Sequence, residues 1–194
     1  MYLYNNRKSK DRMSETSHDK HWFAMRVFRN KVVECKELLE RIDSIEVYAP
    51  TKVVEIHCSG KPVRTKEIPI VPSLLFFRST VMQTSTVEGT LGNLANLYTR
   101  KRENETIPFA ISDKEMAMFI MVSSGDQEGL EYFMDDELDK YKKGERVKVI
   151  DGRFKGLEGE IKRIKHNHRL VVTVKGICAV ATSYIPRCFL EKIE

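Results

Sequence analysis

The residues of this sequence that could take part in chemistry are few, and the most suggestive of them lie near its C-terminal end. The segment GRFKGLEG, residues 152–159, has the spaced glycines of a phosphate-binding loop. However, three residues rather than four separate its first two glycines and no Lys-Ser or Lys-Thr pair follows, so nucleotide binding is not predicted. His166 and His168 alternate as metal ligands can, but no companion cluster lies beside them, and a solvated turn is the favoured interpretation.

Cysteine spacing and the lack of catalytic groupings also argue against an enzyme. The cysteines are too scattered for a zinc site or a disulfide framework and are predicted to be ordinary thiols: Cys35, Cys58, Cys178 and Cys188. No Ser/His/Asp, Cys/His or paired-carboxylate arrangement has sequence support. We therefore predict that the protein is not an enzyme, that it holds no cofactor or metal, and that its function is binding.

The distribution of charge is more informative than the net charge of +5. Residues 126–140 carry a net charge of −6, from 7 acidic and 1 basic residue, and residues 141–194 carry +7, from 13 basic and 6 acidic residues. Such a basic module could lie near phosphates or acidic protein surfaces, although solvated charge needed for solubility is the commoner explanation.

The sequence shows no signal for export or membrane insertion. Its polar opening lacks the apolar core of a signal peptide, and no later stretch approaches about 18 uninterrupted apolar residues. We expect a cytoplasmic protein without a membrane partner. Residues 1–19 are expected to form a disordered tail, because few of them could be buried to offset the entropy of ordering.

The segment from residue 21 to residue 125 alternates strand and helix patterns. HWFAMRVF alternates as a strand does, and Asn30 is predicted to cap an amphipathic helix over KVVECKELLERI. A hairpin turning at residues 59–62 carries Lys61, Arg64 and Lys66. Further elements are a strand over 74–77, a helix over 85–94, a strand over 97–99 and a helix that Ser112 caps. This order predicts an α+β domain with helices against an antiparallel sheet.

The apolar run IVPSLLFF, residues 70–77, has apolar residues on both faces of its predicted strand. A strand of this kind is either buried on both sides or keeps one side for a partner. Helices on only one face of the sheet would leave the second face open. Sequence alone leaves both alternatives in place.

The C-terminal segment is predicted to be all β. Residues 126–141 have no sustained period and form an acidic linker, although its apolar residues could dock on either domain. Beyond it, five short strands in about fifty residues favour a small closed barrel. Gly152, Gly156 and Gly159 suit such a barrel, because its strands must bend and turn tightly.

Taken in order, these segments resemble the NusG-type transcription elongation factors, which have an N-terminal NGN domain and a C-terminal KOW domain. The resemblance covers residues 20–194 and rests on HWFAMRVF, VYAPT, PIVPSLLFF, ISDKEM and GERVKVIDGRFKGLEGEI. FKGLEGEIKRIK, CAVATSYIP and FLEKI are most similar to the UpxY-type paralogues of Bacteroidetes, antiterminators of capsular polysaccharide operons.

The resemblance implies a fold and its boundaries. It implies an α+β NGN domain over 20–125, the acidic linker over 126–141 and an SH3-like KOW β-barrel over 142–194. The KOW motif residues would be Gly144, Val147, Val149, Gly152, Phe154, Gly156 and Gly159.

The resemblance also implies partners and a mechanism. The protein would be a monomer that binds the clamp helices of the largest catalytic RNA polymerase subunit through Trp22, Val71, Pro72 and Leu74, and the opposite jaw through Thr84, Ser85 and Thr86. Holding the clamp closed would suppress pausing and termination on polysaccharide biosynthesis operons. Non-template DNA would meet Arg29, Lys31 and Lys36, for which a solvated helix face is an equal alternative.

Partners of the KOW domain are not fixed by the resemblance. The hairpin position where the family places an aromatic residue for ribosome contact falls near Lys175 or Gly176, so ribosome coupling is not expected. The alternative function, from another class, is a KOW-bearing RNA-binding or ribosome-associated protein, which the basic C-terminal module would suit.

Overall fold

The computed structural model of the protein describes residues 19–57, 59, 62–125, 128–138, 140–141 and 144–193. In chain order its strands and helices are β1 (His21–Val27), α1 (Val32–Glu40), β2 (Glu46–Tyr48), β3 (Thr51–Ile56), β4 (Arg64–Pro69), β5 (Leu74–Ser79), α2 (Thr84–Leu91), β6 (Ala95–Leu97), β7 (Thr99–Arg102), β8 (Glu105–Pro108), α3 (Asp113–Ser123), β9 (Glu131–Met134), α4 (Asp135–Leu138), β10 (Arg146–Val149), β11 (Glu158–Ile164), β12 (Asn167–Val174), β13 (Cys178–Ala181) and β14 (Leu190–Lys192). The mixture of helices with antiparallel sheets confirms the predicted α+β class. The predicted tail over 1–19, apart from Asp19, and Lys61 of the predicted hairpin loop lie outside the described residues.

The chain divides into two compact units. Unit 1 consists of the residues up to Ala49 together with Pro72–Ala110, and unit 2 consists of Pro50–Val71 and Ile111–Glu194. The last helix of the predicted NGN domain, α3, belongs to unit 2 in this division. Each unit is described below by itself.

Unit 1 is built on an antiparallel sheet with strand order β2-β5-β1-β6. One face of this sheet packs against α1 and α2. The core between them is formed by alternate residues of the strands and by the apolar stripes of both helices. Its members include Phe23, Met25, Val27, Leu75 and Phe77 from β1 and β5, Val32, Cys35 and Leu39 from α1, and Val87 and Leu91 from α2. The alternation predicted for HWFAMRVF is therefore present in β1.

The start of α1 differs from its prediction. Asn30 does not cap the helix; Lys31 occupies the capping position and makes no side-chain cap. Arg29 and Asn30 both have φ of 56°, a left-handed conformation that asparagine adopts more readily than most residues. Asn30 is therefore used in the turn that precedes the helix. The helix predicted over 85–94 is divided in the structure. α2 ends at Leu91, and Gly92, which has a positive φ of 53°, begins a single 3-10 turn that ends at Leu94.

Two antiparallel ribbons stand apart from the larger sheets. β3 and β4 form the predicted hairpin in unit 2, and β7 and β8 form a second one in unit 1. The second ribbon carries the exposed basic run Arg100, Lys101 and Arg102. The guanidinium of Arg100 lies over the ring of Phe109, 5.7 Å from its centroid.

The main sheet of unit 2 has six antiparallel strands in the order β14-β10-β11-β12-β13-β9. Its edge strand β9 comes from within residues 126–141 and pairs with β13. Arg169 of β12 links to this edge strand through two contacts. Its guanidinium lies 3.0 Å from the carboxylate of Glu131 and donates a hydrogen bond to the carbonyl of Gly129 at 2.9 Å. The buried cluster on the same part of the sheet contains Leu138, Ile164, Val171, Ala179 and Ala181, with Phe133 and Tyr141 packed against it.

Glycine is required at several positions of the predicted KOW motif. Gly152 and Gly156 have φ of 79° and 90°, so other residues would be strained there. A Cβ at Gly159 would lie 2.9 Å from Leu170 Cδ1 and still closer to the carbonyl oxygen of Val171. Val147 and Val149 are buried and alternate with exposed residues, and Phe154 is buried. The C-terminal sheet is therefore consistent with a KOW domain.

Helix α3 begins with the predicted cap. Ser112 Oγ accepts a hydrogen bond from the backbone N–H of Glu115 at 3.2 Å, and a Glu115 carboxylate oxygen accepts from the N–H of Ser112 at 3.4 Å. Two of the otherwise unpaired amide groups of the first turn are satisfied in this way. In the same turn, the Lys114 ammonium donates to the Glu158 carboxylate at 2.7 Å, which joins α3 to β11 within unit 2.

This ion pair predicts a pH dependence. The hydrogen bond from Lys114 is the main cause that lowers the pKa of Glu158 from its ordinary value of 4.5. A carboxylate with a lowered pKa stabilises the fold above its unfolded pKa, and that contribution is lost as the pH falls through the folded pKa. We expect Lys114→Met to raise the Glu158 pKa and to remove about 0.2–1 kcal/mol of stability at neutral pH, since the pair is exposed.

The carboxyl resonance of Glu158, followed by NMR from neutral to acidic pH, measures this shift. Lys155→Met removes an exposed lysine elsewhere in unit 2 and should leave the Glu158 titration unchanged. An unchanged Glu158 pKa in Lys114→Met would contradict the prediction.

Candidate functional site

The second face of the unit 1 sheet carries the residues that the sequence analysis assigned to a partner. The β1–β5 pairing places Trp22 opposite Arg78, Ala24 opposite Phe76, and Arg26 opposite Leu74. Because side chains alternate along a strand, these residues point away from the face that α1 and α2 cover. Trp22 and Leu74 therefore share one face, at the two ends of an apolar stripe that Ala24 and Phe76 complete.

This apolar face is buried in the structure. Trp22 retains 6% of its exposure, and Ala24, Leu74 and Phe76 retain none. Of the two alternatives open for the strand over residues 74–77, burial on both sides is therefore the one observed. Val71 is also buried, whereas the neighbouring Pro72 is exposed in the connection between β4 and β5.

The polar segment Thr84–Thr86 forms the first turn of α2. Ser85 and Thr86 are exposed, whereas Thr84 is buried and donates through Oγ1 to the carbonyl of Val81 at 2.7 Å. Of the three polar residues, two are thus placed where a partner could contact them. The segment follows β5 in the chain and is not brought into the apolar stripe by strand pairing.

A one-turn helix immediately before α2 presents two apolar residues that the sequence analysis did not single out. Val81 and Met82 retain 40% and 71% of their exposure. Thr80 and Gln83 form a capping box around this turn, and the two apolar residues lie between them. In the sequence, the spacing of Thr80 and Gln83 indicates a capping box and so a helical turn. Val81 and Met82 give no further signal, because their types are those of ordinary core residues.

The three residues predicted to meet DNA lie around the start of α1. Arg29 and Lys31 are exposed and Lys36 is half-buried. Their charge is partly balanced, since Lys31 lies 2.6 Å from Glu34 and Lys36 lies 3.9 Å from Glu40. Exposed ion pairs of this kind are weak, so they would yield to phosphates. The exposed basic run of the β7–β8 ribbon, which belongs to the same unit, adds three positive charges that the sequence pattern does not distinguish from a solvated loop.

No group of three or more His, Cys, Asp or Glu residues that could hold a metal ion occurs in the part of the chain that the structure describes. Within the same residues, no helix is long and apolar enough to cross a membrane. Burial raises the pKa of the Cys178 thiol well above its ordinary range, so this cysteine is a core residue with little reactivity.

Comparison with known proteins identifies two matched regions. The family of NusG, described as transcription termination factor nusG, matches residues 20–120, and the KOW motif matches residues 143–175. No curated protein matches the chain. A solved structure described as "Domain interaction in Thermotoga maritima NusG" is 18% identical, covers 91% of this chain and 98% of its own, and superimposes with a TM-score of 0.45.

Proposed function

Since the family match over residues 20–120 spans more than half of the chain, the protein belongs to the NusG family of transcription factors, and we propose that it is a nonenzymatic elongation and antitermination factor. Members of this family interact with RNA polymerase. The observation that carries the proposal is this match together with the KOW motif at residues 143–175. A protein that rides RNA polymerase would act in the cytoplasm.

The clamp helices of the largest catalytic subunit are the proposed partner of the apolar stripe of unit 1. Trp22, Ala24, Leu74 and Phe76 supply it, and Val71 and Pro72, which precede β5 in the chain, are further proposed contacts of the same partner. Once accessible, each large apolar side chain of the stripe that passes from water into the polymerase interface would contribute about 1.5–3 kcal/mol. Because the stripe is buried in this structure, docking requires that it become accessible, and polymerase binding must offset the cost of that change.

A second contact on the opposite jaw is proposed for the start of α2. Ser85 and Thr86 offer hydroxyl groups, and the exposed Met82 and Val81 offer apolar surface beside them. A factor that contacts both sides of the cleft binds the closed clamp more tightly than the open one. Such differential binding disfavours the open, pause-prone state. Arg29, Lys31 and Lys36 would add a salt-sensitive contact to non-template DNA.

The proposed targets are polysaccharide biosynthesis operons. The support for this assignment is the resemblance of FKGLEGEIKRIK, CAVATSYIP and FLEKI to the UpxY-type paralogues. Monomeric action is proposed for the same reason.

We expect core RNA polymerase to copurify with the full-length protein from its own cells. Deleting the gene should lower polymerase occupancy over the distal part of its target operons, because pausing and termination are no longer suppressed. Chromatin immunoprecipitation of polymerase with and without the protein measures target and effect together. Copurification of ribosomes without polymerase, or an unchanged occupancy map, would overturn the proposal.

A further inference from the structure

Side-chain hydrogen bonds connect the turn at Val81–Gln83 to two distant segments of unit 1. The amide group of Gln83 donates to Ser44 Oγ at 3.0 Å, and the carbonyl of Ser44 accepts from the Lys20 ammonium at 2.7 Å. Ser44 lies 39 residues before Gln83 in the sequence and 24 residues after Lys20. Three separate segments of the same unit therefore meet at this turn.

Gln83 is the central residue of this connection, because the two ends of its amide group make different contacts. The oxygen Oε1 accepts from the backbone N–H of Thr80 at 3.1 Å and so closes the capping box of the turn. The nitrogen Nε2 is the donor to Ser44. Gln83 thus links the cap of the turn directly to Ser44.

Ser44 belongs to a well-anchored part of unit 1. It lies in the turn between α1 and β2, where the N–H of Ile45 donates to the carbonyl of Ile42 at 3.4 Å. Ile42 and Ile45 both pack against the buried core of the unit. Core packing on either side of Ser44 therefore fixes the position of its hydroxyl group.

The backbone of Ser44 has an unfavourable conformation. Its φ of 74° lies in the left-handed region, which glycine adopts readily and serine does not. Strained residues of this kind persist where the surrounding structure holds them, and they are concentrated at functional sites. Glycine would relieve the strain at this position, but it has no hydroxyl group to accept the hydrogen bond from Gln83.

The turn at Val81–Gln83 needs such support because it is a single turn of 3-10 helix. A single helical turn is unstable in water, since few hydrogen bonds offset the entropy of ordering its backbone. Met82 is 71% exposed, so packing in the free protein does little to hold it. A partner that had to order this turn on binding would lose affinity.

We propose that Gln83 and Ser44 are positioning residues for the contact of Val81 and Met82 with RNA polymerase. They hold the turn in its binding conformation before the polymerase arrives, so that the complex does not bear the cost of ordering it. The inference rests on the proposed function, because it concerns the same polymerase contact at the start of α2. It adds to that site a residue from the turn between α1 and β2.

Two substitutions of Ser44 separate positioning from stability. Ser44→Ala and Ser44→Gly both remove the hydroxyl group, but only glycine also relieves the backbone strain. Ser44→Gly should therefore unfold at a higher midpoint than Ser44→Ala, as measured by the fluorescence of Trp22, the single tryptophan. Both variants should nevertheless bind purified core polymerase about three- to tenfold more weakly than the wild type.

Thr90→Ala is the matched control for these two variants. It removes another exposed hydroxyl group of unit 1, one that donates to the carbonyl of Thr86 at 2.9 Å and does not bond to the turn. This variant should bind polymerase as the wild type does. Wild-type affinity of Ser44→Gly, or an equal loss of affinity in Thr90→Ala, would overturn the proposal.

The order of the turn can be measured without polymerase. Backbone amide order parameters from NMR should fall at Val81–Gln83 in both Ser44 variants, from the value of about 0.85 that is typical of a rigid backbone, and should not change in Thr90→Ala. Unchanged order in Ser44→Ala would show that the turn is held without this hydrogen bond, and the proposal would be wrong.

A double-mutant cycle with Gln83→Met tests whether the two residues act through one hydrogen bond. Methionine has a side chain of similar length but no amide donor, so Ser44→Ala should cause no further loss of affinity in the Gln83→Met protein. Additive losses would overturn the proposed link. Wild-type binding of the Ser44 variants beside weakened binding of Met82→Glu would overturn the positioning role alone, whereas wild-type binding of Met82→Glu would overturn the polymerase contact itself.

Discussion

Met82→Glu is expected to weaken binding of the protein to core RNA polymerase by at least about tenfold. Met82 retains 71% of its exposure in the free protein, so its surface is available for a partner to bury. Burying a methionine side chain contributes about 1.5–3 kcal/mol, which corresponds to roughly 10- to 100-fold in affinity. A glutamate at this position would also carry an unpaired charge into the interface. Equilibrium binding of the full-length protein to purified core polymerase measures the effect.

Met121 provides the matched control for this substitution. It is also an exposed methionine, at 48%, but it lies on α3 in unit 2, outside the proposed polymerase contacts. Met121→Glu introduces the same charge and should leave polymerase binding unchanged. Because both residues are exposed, neither substitution should disturb folding. Equal affinity of Met82→Glu and wild type would refute a contact at the start of α2. Equal weakening of binding in both variants would show that the added negative charge, and not its position, causes the loss of affinity.

Exposed residues make sharper probes of polymerase docking than the apolar stripe does. Leu74 and Trp22 are already buried in the free protein, so truncating either side chain alters the free state as well as the complex. A measured change in affinity would then combine the effect of the truncation on the stability of the free protein with its effect on the complex. The turn at Val81–Gln83 does not have this ambiguity, because its apolar surface is exposed before binding.

Local chemistry was the part of this fold that the sequence predicted well. The capping box of Ser112 and Glu115 involves residues three apart, and the alternation of Val147 and Val149 reports burial on one side of a single strand. Both signals are complete within a few residues. The positive φ of Gly152 and Gly156 follows in the same way from the tight turn that they form.

Long-range features could not be predicted from the same patterns. The sequence predicts a linker over the segment Glu131–Met134, because its acidic surroundings show no period, yet the segment pairs with β13, whose sequence lies more than forty residues away. The residue types within and beside Glu131–Met134 do not specify a pairing with a strand so distant in the sequence. The same limit applies to the strand over residues 74–77, whose apolar pattern is identical whether its second face is covered or open.

Gly144→Ala is expected to lower the free energy of unfolding of unit 2 by roughly 3 kcal/mol or more. A Cβ at this position would overlap the carbonyl oxygen of Ile161. The obstacle is backbone, held in place because the N–H of Ile161 donates to the carbonyl of Glu145 at 2.9 Å. Relief would require β10 and β11 to separate at the start of their pairing.

Gly89→Ala controls for the general effect of replacing glycine. Gly89 lies inside α2, and a Cβ there would meet nothing within 4 Å, so alanine should stabilise unit 1 by about 0.5–1 kcal/mol through a better helix propensity. Trp22, the single tryptophan, reports unfolding of unit 1 by fluorescence, and amide hydrogen exchange in β10 and β11 reports unit 2. Gly144→Ala should speed exchange in β10 and β11 while leaving the fluorescence midpoint of unit 1 near its wild-type value. Wild-type protection of these amides in Gly144→Ala would show that the strand pair can accommodate a methyl group. The prediction that this KOW position requires glycine would then be wrong.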